Sequence, residues 1–458
     1  MKLDAIHLQN FRLFKDFRCD FAENLTVLVA DNGGGKTTVL EAIAFELFYA
    51  IGQFHRASSP PPTKEKDVHT FITNRNLGQK EKSYPLKIEV QLRLGQPEKH
   101  FACRFDLTSE ASEPTSTVLR IARTPQEMAD PDLHNLGKHI GSNGNLPLLA
   151  LYGTNRLSQT GGQRRENSQA IQFSERQAGY DDAAQAGASI SRMMNWLDFA
   201  NRSNVAEFGR YLANNPDLAM RFSDFHGTFS PLLKAVQHAV NSVLAHTKWQ
   251  NLYYVENLQD AVLEHPQFGT QPMSRLSDGL RTTIGLVADL ALRAVQLNPH
   301  LGENAAQGTE GIVMIDEVDM HLHPQWQQMI LPDLMRTFPR VQFIVTTHSP
   351  QVLSTVKRES IRLLSLAQGT SPLAMSYGEP SGNVLQGVML VDPQPPVPEK
   401  SDLQALTALV DQGHYQDETA LNLLRRLSSA LGEQHPQLQR LQRSIARQER
   451  LKPVAQKK

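Results

Sequence analysis

The stretch "VLVADNGGGKTTVLEAIAF" at residues 27–45 decides the fold of this 458-residue chain. Its first residues are nearly all apolar, as in a strand that is buried on both faces. Three glycines end that strand, and the residues after them place apolar side chains at the spacing of an amphipathic helix. A strand, a glycine loop and a helix in this order form the context in which backbone N–H groups hold a phosphate, so we predict a phosphate-binding loop.

The predicted loop keeps the chemistry of an ATP site although one glycine is missing. Lys36 can reach the β- and γ-phosphates of ATP, and the Thr37 hydroxyl can bind Mg²⁺. Ala30 stands where the pattern G-x-x-x-x-G-K-[ST] has its first glycine, and we expect alanine to fit there if its φ stays negative. The candidate ATP contacts are Asn32, Gly33, Gly34, Gly35, Lys36, Thr37, Thr38 and Arg12.

Two later apolar strands end in residues that complete such a site. In "GIVMIDEVD" the strand ends at Asp316, whose carboxylate we predict to bind Mg²⁺ together with Thr37. The adjacent Glu317 is the candidate that polarises the attacking water. In "VQFIVTTHSP" His348 follows another such strand and is the candidate sensor of the γ-phosphate. Because the carboxyl ends of parallel strands line a ligand crevice, we expect these side chains to lie at one edge of the sheet.

A further motif, "SRLSDGLRTTIGLVADLAL", leads into a long helix with apolar periodicity. Ser277 and Gly279 therefore lie at a helix N-terminus, which is able to bind a phosphate. An N-capped helix without a ligand has the same features, so this motif alone does not decide between the two.

The composition indicates a protein with a full hydrophobic core and no overall charge bias. Hydrophobic residues make up 40% of the chain and its formal net charge is -1, so only a local surface can attract nucleic acid. At about 150 residues per domain, we expect two or three domains.

Cys19 and Cys103 are too few for a disulfide framework, and His321 and His323 lack further ligands for a zinc site. No long apolar run is present, so we expect a cytoplasmic protein without a membrane partner.

Changes in composition and periodicity along the sequence predict four segments. They are an N-terminal lobe with the phosphate loop at residues 1–125, a mostly helical insertion at 126–270 with a mobile part at 158–190, a C-terminal lobe at 271–395 and a basic helical tail at 396–458. The N-terminal lobe contains a meander of alternating strands after the phosphate loop. In residues 421–458, nine Lys and Arg residues stand against two acidic residues, a net charge of +7. We expect this tail to dock a partner or a second copy of the chain.

The order of the motifs resembles the head domain of ABC-type ATPases of the SMC and RecF sort, in the branch called AAA-type "21/15" ATPases. The resemblance covers about residues 1–125 and 270–390. It implies an α/β fold with a mixed or parallel sheet, an antiparallel sub-sheet, a helical insertion and a helical C-terminal tail. It also implies ATP and Mg²⁺ as cofactors.

In such heads the signature motif of one subunit closes on the γ-phosphate of another. The resemblance thus implies a dimer or higher oligomer in which Ser277 and Gly279 act in trans. The chain departs from the family pattern at Ala30, Asp278 and Leu280. A carboxylate at position 278, beside the γ-phosphate of the other subunit, implies that hydrolysis is slow.

Four further stretches resemble PtuA, the ATPase family of Septu anti-phage systems and of the retron systems that share it. They are "LPLLALYGTNRL", "QAGYDDA", "MMNWLDFA" and the tail "LLRRLSSALGEQHPQLQRLQRSIARQERL". The resemblance implies that the chain gates a separate HNH nuclease similar to PtuB. It also implies that the chain contacts DNA through its complex with this nuclease. Residues 349–458 contain no D-x-D pair of a Toprim nuclease, and the chain shows no H-N-H spacing. We therefore expect no nuclease site in the chain itself.

An alternative is a RecF-like or SMC-like DNA-repair ATPase that clamps DNA on ATP binding. It predicts ATP-dependent DNA binding by the chain alone, with a steep dependence on salt. The ATPase of a membrane transporter uses the same motifs, but the insertion at 126–250 and the signature L-S-D-G-L argue against it.

Overall fold

The computed structural model describes most of the chain and divides it into two compact units. The units are residues 1–389 and 390–458. The described residues are 1–52, 67–74, 79–95, 99–109, 115–121, 144–154, 176–183, 189–217 and 219–455. Most of the segment 158–190, which we predicted to be mobile, lies outside the described residues.

Sixteen strands are present in the described part of the first unit. In chain order they are β1 (Lys2–Phe11), β2 (Phe14–Asp20), β3 (Leu25–Val29), β4 (Thr70–Asn74), β5 (Gln79–Lys82), β6 (Leu86–Leu94), β7 (Lys99–Leu107), β8 (Thr115–Ile121), β9 (Leu148–Tyr152), β10 (Gln250–Val255), β11 (Asp260–His265), β12 (Gly269–Pro272), β13 (Gly311–Ile315), β14 (Val341–Thr346), β15 (Ile361–Leu364) and β16 (Gln368–Thr370).

The helices surround these strands or form the second unit. The first unit has α1 (Lys36–Gly52), α2 (Ser189–Asn214), α3 (Ser230–Leu244), α4 (Asp278–Leu297), α5 (Ala305–Gly308), α6 (Pro324–Gln327), α7 (Ile330–Thr337), α8 (Pro350–Leu353) and α9 (Ser381–Gly387). The second has α10 (Lys400–Asp411), α11 (Glu418–Leu431) and α12 (Pro436–Ala455). Within the described residues, no helix combines the length and the apolar character needed to cross a membrane.

Eleven strands form one mixed sheet in the order β8-β7-β6-β1-β2-β16-β15-β3-β14-β13-β9. Strands β15, β3, β14, β13 and β9 run parallel, whereas β8, β7, β6, β1 and β2 pair antiparallel. Every residue of β3, β13 and β14 is buried, as the apolar runs predict for strands covered on both faces. The sheet confirms the predicted α/β fold with a parallel part and an antiparallel sub-sheet.

Strand β9 belongs to the segment that we predicted as a mostly helical insertion. It pairs in parallel with β13 at the edge of the main sheet, with Tyr152 opposite Ile315. The other described residues of that segment include α2, α3 and the antiparallel sheet β10-β11-β12. The predicted insertion therefore contributes β9 to the main sheet, and Tyr152 lies at the end of a strand next to the candidate site.

A buried glutamine of β14 links the parallel and antiparallel parts of the main sheet. Gln342 on β14 is fully buried, and its Oε1 accepts a hydrogen bond from the Leu3 N–H at 2.7 Å. Its Nε2 donates to the carbonyl groups of Leu3 at 2.9 Å and of Ala22 at 2.8 Å. One side chain thus satisfies backbone groups of β1 and of the turn before β3.

We expect Gln342→Leu to lower the free energy of unfolding of the first unit by roughly 1–3 kcal/mol, because the buried Leu3 N–H loses its partner. The measurement is urea unfolding followed by tryptophan fluorescence, since Trp196, Trp249 and Trp326 all lie in this unit. Gln91→Leu, at an exposed position of β6, is the control and should change the free energy by less than about 0.5 kcal/mol. Equal destabilisation in the two variants would contradict this role of Gln342.

Candidate nucleotide site

The loop between β3 and α1 has a backbone that requires glycine at two points. Gly33 has φ 78° and Gly35 has φ 89°, in the left-handed region. A side chain at position 35 would also meet the Phe14 ring, with the Cβ 2.4 Å from the nearest ring carbon. The chain then enters α1 at Lys36, so the unpaired N–H groups of the first helical turn lie directly after this loop.

The missing glycine is explained by the contact between positions 30 and 34. Ala30 has a negative φ, as expected for an alanine in this place. A Cβ added to Gly34 would lie only 2.7 Å from the Ala30 Cβ and 3.0 Å from the Asp31 carbonyl oxygen. The methyl group at position 30 therefore fits because position 34 has none.

Lys36 lies across this loop with its ammonium group bound to the backbone. Its Nζ donates to the carbonyl groups of Ala30 at 2.8 Å and Asp31 at 3.1 Å. Only 8% of the residue is exposed, and burial lowers its pKa more than the nearby carboxylates of Asp316 and Glu317 raise it. The lysine charge is thus held at the start of α1, beside the acidic residues that follow β13.

Asp316 joins the ends of several elements at this edge of the sheet. Its Oδ2 accepts a hydrogen bond from the Thr37 hydroxyl at 2.7 Å, and its Oδ1 accepts one from the Thr346 hydroxyl at 2.6 Å. Its backbone N–H donates to the Tyr152 carbonyl at 2.7 Å. The structure therefore brings together Thr37 and Asp316, the two residues that we predicted to bind Mg²⁺.

Hydrogen bonds join the segment that carries Glu317 to the segment that carries His348. The Glu317 N–H donates to the Thr346 hydroxyl at 2.7 Å, and the Val318 N–H donates to the Thr346 carbonyl at 3.0 Å. The hydroxyl of Thr347 donates to the Asp319 carboxylate. Glu317 has φ 47°, and both Glu317 and His348 are half-buried. The two candidate catalytic residues thus follow neighbouring parallel strands at the same edge, and their roles stay predictions.

The signature motif lies at the start of α4. Ser277 is exposed and does not cap the helix with its side chain, and Asp278 pairs with Arg281 at 3.4 Å. A Cβ at Gly279 would lie 2.5 Å from the His321 carbonyl oxygen, so only glycine permits this close contact. Among the described residues, no hydrogen bond joins Ser277 or Gly279 to the glycine loop.

A buried charged cluster connects the signature helix to the strand beside Asp316. The Tyr152 hydroxyl and Arg293 Nε donate to Oδ2 of the fully buried Asp289 at 2.6 and 2.8 Å. Arg293 also donates to the Gly179 carbonyl at 2.8 Å, within the "QAGYDDA" stretch. Burial and the charge of Arg293 lower the pKa of Arg192, which lies 3.8 Å from Asp289, to about 10.

Arg12, a candidate ATP contact, pairs with two carboxylates. Its Nε donates to Asp67 at 2.8 Å, and its Nη1 pairs with Glu41 of α1. Burial lowers the pKa of Arg12, but the hydrogen bonds to Asp67 and Glu41 more than offset this and raise it. The arginine therefore lies on the α1 side of the loop, and its contact with ATP stays a prediction.

The remaining candidates lie in or after the same loop. Asn32 is exposed, whereas Thr38 is buried in the first turn of α1. His323 caps α6, because its Nδ1 accepts from the Gln325 N–H at 3.4 Å. In the part of the chain that the structure describes, no group of three or more His, Cys, Asp or Glu side chains is placed to hold a metal ion.

Sequence reasoning missed four residues of this region, namely Tyr152, Asp289, Arg293 and Thr346. Thr346 had a visible signal, since "FIVTT" ends an apolar strand with hydroxyl groups. Asp289 and Arg293 stand four residues apart in an apolar helix, and such a pair indicates a buried ion pair. Tyr152 gave no signal, because an aromatic residue in "LLALY" is typical of any buried strand.

We expect Gly34→Ala to weaken ATP binding by about tenfold or more, because its methyl group must displace Ala30 or the Asp31 carbonyl. Ala30→Gly alone should change the affinity little. The double variant Ala30→Gly/Gly34→Ala should recover part of the loss, since one of the two close contacts is removed. Isothermal titration with ATP measures all three. A double variant no better than Gly34→Ala would contradict the proposed pairing of these positions.

Comparisons with known proteins find relatives over nearly the whole chain. Residues 5–199 match the model of an "AAA domain", and residues 159–354 match one described as "AAA domain, putative AbiEii toxin, Type IV TA system". The chain is 27% identical to the Retron Ec83 probable ATPase of Escherichia coli over 94% of its own length and 84% of the relative's. It is 41% identical to the Septu protein PtuA of Bacillus mycoides over 20% of its own length and 13% of the relative's.

A solved structure, the SMC head domain from Thermotoga maritima, aligns with 82% of this chain and 100% of its own at 14% identity, with a TM-score of 0.41. The sequence relatives confirm the resemblance that the motifs indicated. Residues 5–199 and 159–354 are thus similar to AAA domains, and the chain has homologues among retron ATPases and, over a shorter part, Septu PtuA proteins.

Proposed function

We propose that the chain binds ATP with Mg²⁺, hydrolyses it slowly, assembles as a dimer or higher oligomer, and gates a separate HNH nuclease in anti-phage defence. The observation that carries the ATP part is the Asp316 carboxylate, which accepts hydrogen bonds from Thr37 and Thr346 beside the buried Lys36. Three features form the set that holds a nucleoside triphosphate: a glycine loop at a helix start, a lysine, and a carboxylate at the end of a nearby parallel strand.

The oxygen donors at this edge fit Mg²⁺. Thr37 and Asp316 already lie within hydrogen-bond distance, and Mg²⁺ prefers one or two such oxygen ligands together with phosphate oxygens and water. These two residues would hold the ion, which neutralises charge on the phosphates when bound. Lys36 can exchange the backbone carbonyls that it now binds for phosphate oxygens, because its amine has three donors on a flexible stem.

The geometry of the signature motif supports an oligomer. The Ser277 hydroxyl makes no capping hydrogen bond to α4. Ser277 is exposed at the start of this 20-residue helix. Asp278 is paired with Arg281, which offsets part of its charge near a phosphate. Among the described residues Ser277 makes no hydrogen bond to its own glycine loop, which agrees with a role at the ATP of a second copy of the chain.

The nuclease part of the proposal rests on the relatives and on the chain's own lack of nuclease motifs. A retron ATPase matches the chain along 94% of its length, and Septu PtuA matches a shorter part. An ATPase whose closed state is set by bound nucleotide is able to hold a partner in one of two arrangements. We infer that the nucleotide state of the head controls whether the partner nuclease cuts.

We expect two inactive variants to complement each other if the site is shared between subunits. Lys36→Ala removes the phosphate contact, and Ser277→Arg blocks the signature, so each alone should lose at least about tenfold in ATP turnover. Co-expressed with different tags, they form mixed dimers in which one complete site is restored, and turnover returns. The control pairs Lys36→Ala with Asp316→Ala, which damage the same half-site. Recovery no greater than in this control would contradict sharing of the site.

We expect DNA cleavage by the chain with its partner nuclease to change by about tenfold between saturating ATP and no nucleotide, in the range of typical allosteric coupling. The complex with Lys36→Ala should cut at one rate under both conditions. Gel analysis of a DNA substrate measures the rates. Equal cutting by the unaltered complex with and without ATP would contradict nucleotide gating. ATP-dependent clamping of duplex DNA by the chain alone would favour the RecF-like alternative.

A further inference from the structure

Helix α12 in the second unit carries arginines on the face opposite to its buried face. Leu438 and Leu441 are buried in the core of this unit, and Ile445 packs against the same core. Four exposed arginines follow one another at intervals of three, four and three residues, which places them on one side of a helix. This arginine stripe consists of Arg440, Arg443, Arg447 and Arg450.

The charge of the stripe is not balanced by the unit itself. Two other cations of the unit have partners, since Arg426 pairs with Asp402 and Lys400 pairs with Asp392. Among the described residues, no carboxylate lies at salt-bridge distance from any arginine of the stripe. Glu449 is the one acidic residue of α12. It directly precedes Arg450 but lies about 100° from it around the helix, and no described salt bridge joins the two. Four like charges are therefore concentrated on one face of a chain whose net charge is -1.

We propose that the arginine stripe binds the phosphate backbone of duplex nucleic acid without regard to base sequence. Residues 440 to 450 extend over about 15 Å of helix axis at 1.5 Å per residue. One strand of a duplex has a phosphate about every 3.4 Å along its axis, so about four phosphates of one strand lie within the length of the stripe. The planar guanidinium group donates two parallel hydrogen bonds to a phosphate, which suits arginine better than lysine for this contact.

The surroundings of the stripe favour a duplex over other anionic partners. Helix α12 contains no aromatic residue, whereas proteins that hold single strands stack bases on aromatic side chains. Gln439 and Ser444 border the stripe, and such polar side chains also donate to phosphates. An acidic protein face is the competing partner, but stable protein interfaces place aromatic or large apolar anchors at their centre. Between Arg440 and Arg450 no exposed side chain of this kind is described, and the exposed Leu451 lies only at the end of the stripe.

The test uses the full chain and a short fluorescent DNA duplex of arbitrary sequence. Fluorescence anisotropy gives the binding constant over a range of KCl concentrations. Each phosphate contact contributes about 0.9 to the slope of log K against log salt for a duplex. The variant with all four arginines changed to Gln should therefore have a slope smaller by about 3.6 than the unaltered chain. The variant with all four changed to Lys should keep most of the slope, because it keeps the charges.

Two controls separate the stripe from other causes. Arg425→Gln removes an exposed arginine of the neighbouring helix α11 and should leave the slope unchanged. Lys36→Ala removes the proposed ATP contact and should leave duplex binding unchanged, so failure of the proposed function and failure of this inference give different results. Far-UV circular dichroism checks that the variants keep their helices, as expected for exposed substitutions.

Three outcomes would overturn the inference. The first is an unaltered chain that does not bind the duplex at low salt. The second is a four-Gln variant with the same slope as the unaltered chain, which would place duplex binding elsewhere. The third is binding of polyglutamate in preference to the duplex, which would assign the stripe to an acidic protein.

Discussion

The candidate site depends on one carboxylate with two hydroxyl partners. Asp316 ends β13 and accepts hydrogen bonds from Thr37 at the start of α1 and from Thr346 at the end of β14. Charge-assisted hydrogen bonds of this kind are about twice as strong as those between neutral groups. They fix the end of β13 relative to the glycine loop on one side and to the segment of His348 on the other. The order of the strands places these three elements side by side, as β3-β14-β13.

The same carboxylate lies at one end of a path to the signature helix. The Asp316 N–H binds the Tyr152 carbonyl, and the Tyr152 hydroxyl binds Asp289 in the middle of α4. Arg293 and Arg192 compensate the buried charge of Asp289. A second link joins the start of α4 to the segment after β13, through the close approach of Gly279 to His321. The glycine loop and the signature motif are thus parts of one packed framework, although each faces a different partner in the proposed oligomer.

The sequence was sufficient to predict those parts of this framework that local sequence patterns encode. The glycine loop, Asp316 and the α/β class follow from apolar runs interrupted by residues with specific chemistry. The pairing of β9 with β13 and the bond from Tyr152 to Asp289 join residues more than a hundred positions apart. No local periodicity encodes such contacts, which is why β9 fell within a predicted helical insertion. The role of Gln342 could not be predicted for a related reason. Its hydrogen-bond partners belong to the N-terminal segment and are far from it in sequence.

The most direct test of the central claim is the effect of Mg²⁺ on ATP binding by the unaltered chain and by Asp316→Asn. Asparagine keeps the size of the side chain and one acceptor oxygen but loses the charge that attracts the ion. The account predicts that Mg²⁺ raises the ATP affinity of the unaltered chain by about tenfold or more and leaves that of Asp316→Asn nearly unchanged. An equal effect of Mg²⁺ on both proteins would contradict the assignment of Asp316 as the residue on which the site depends.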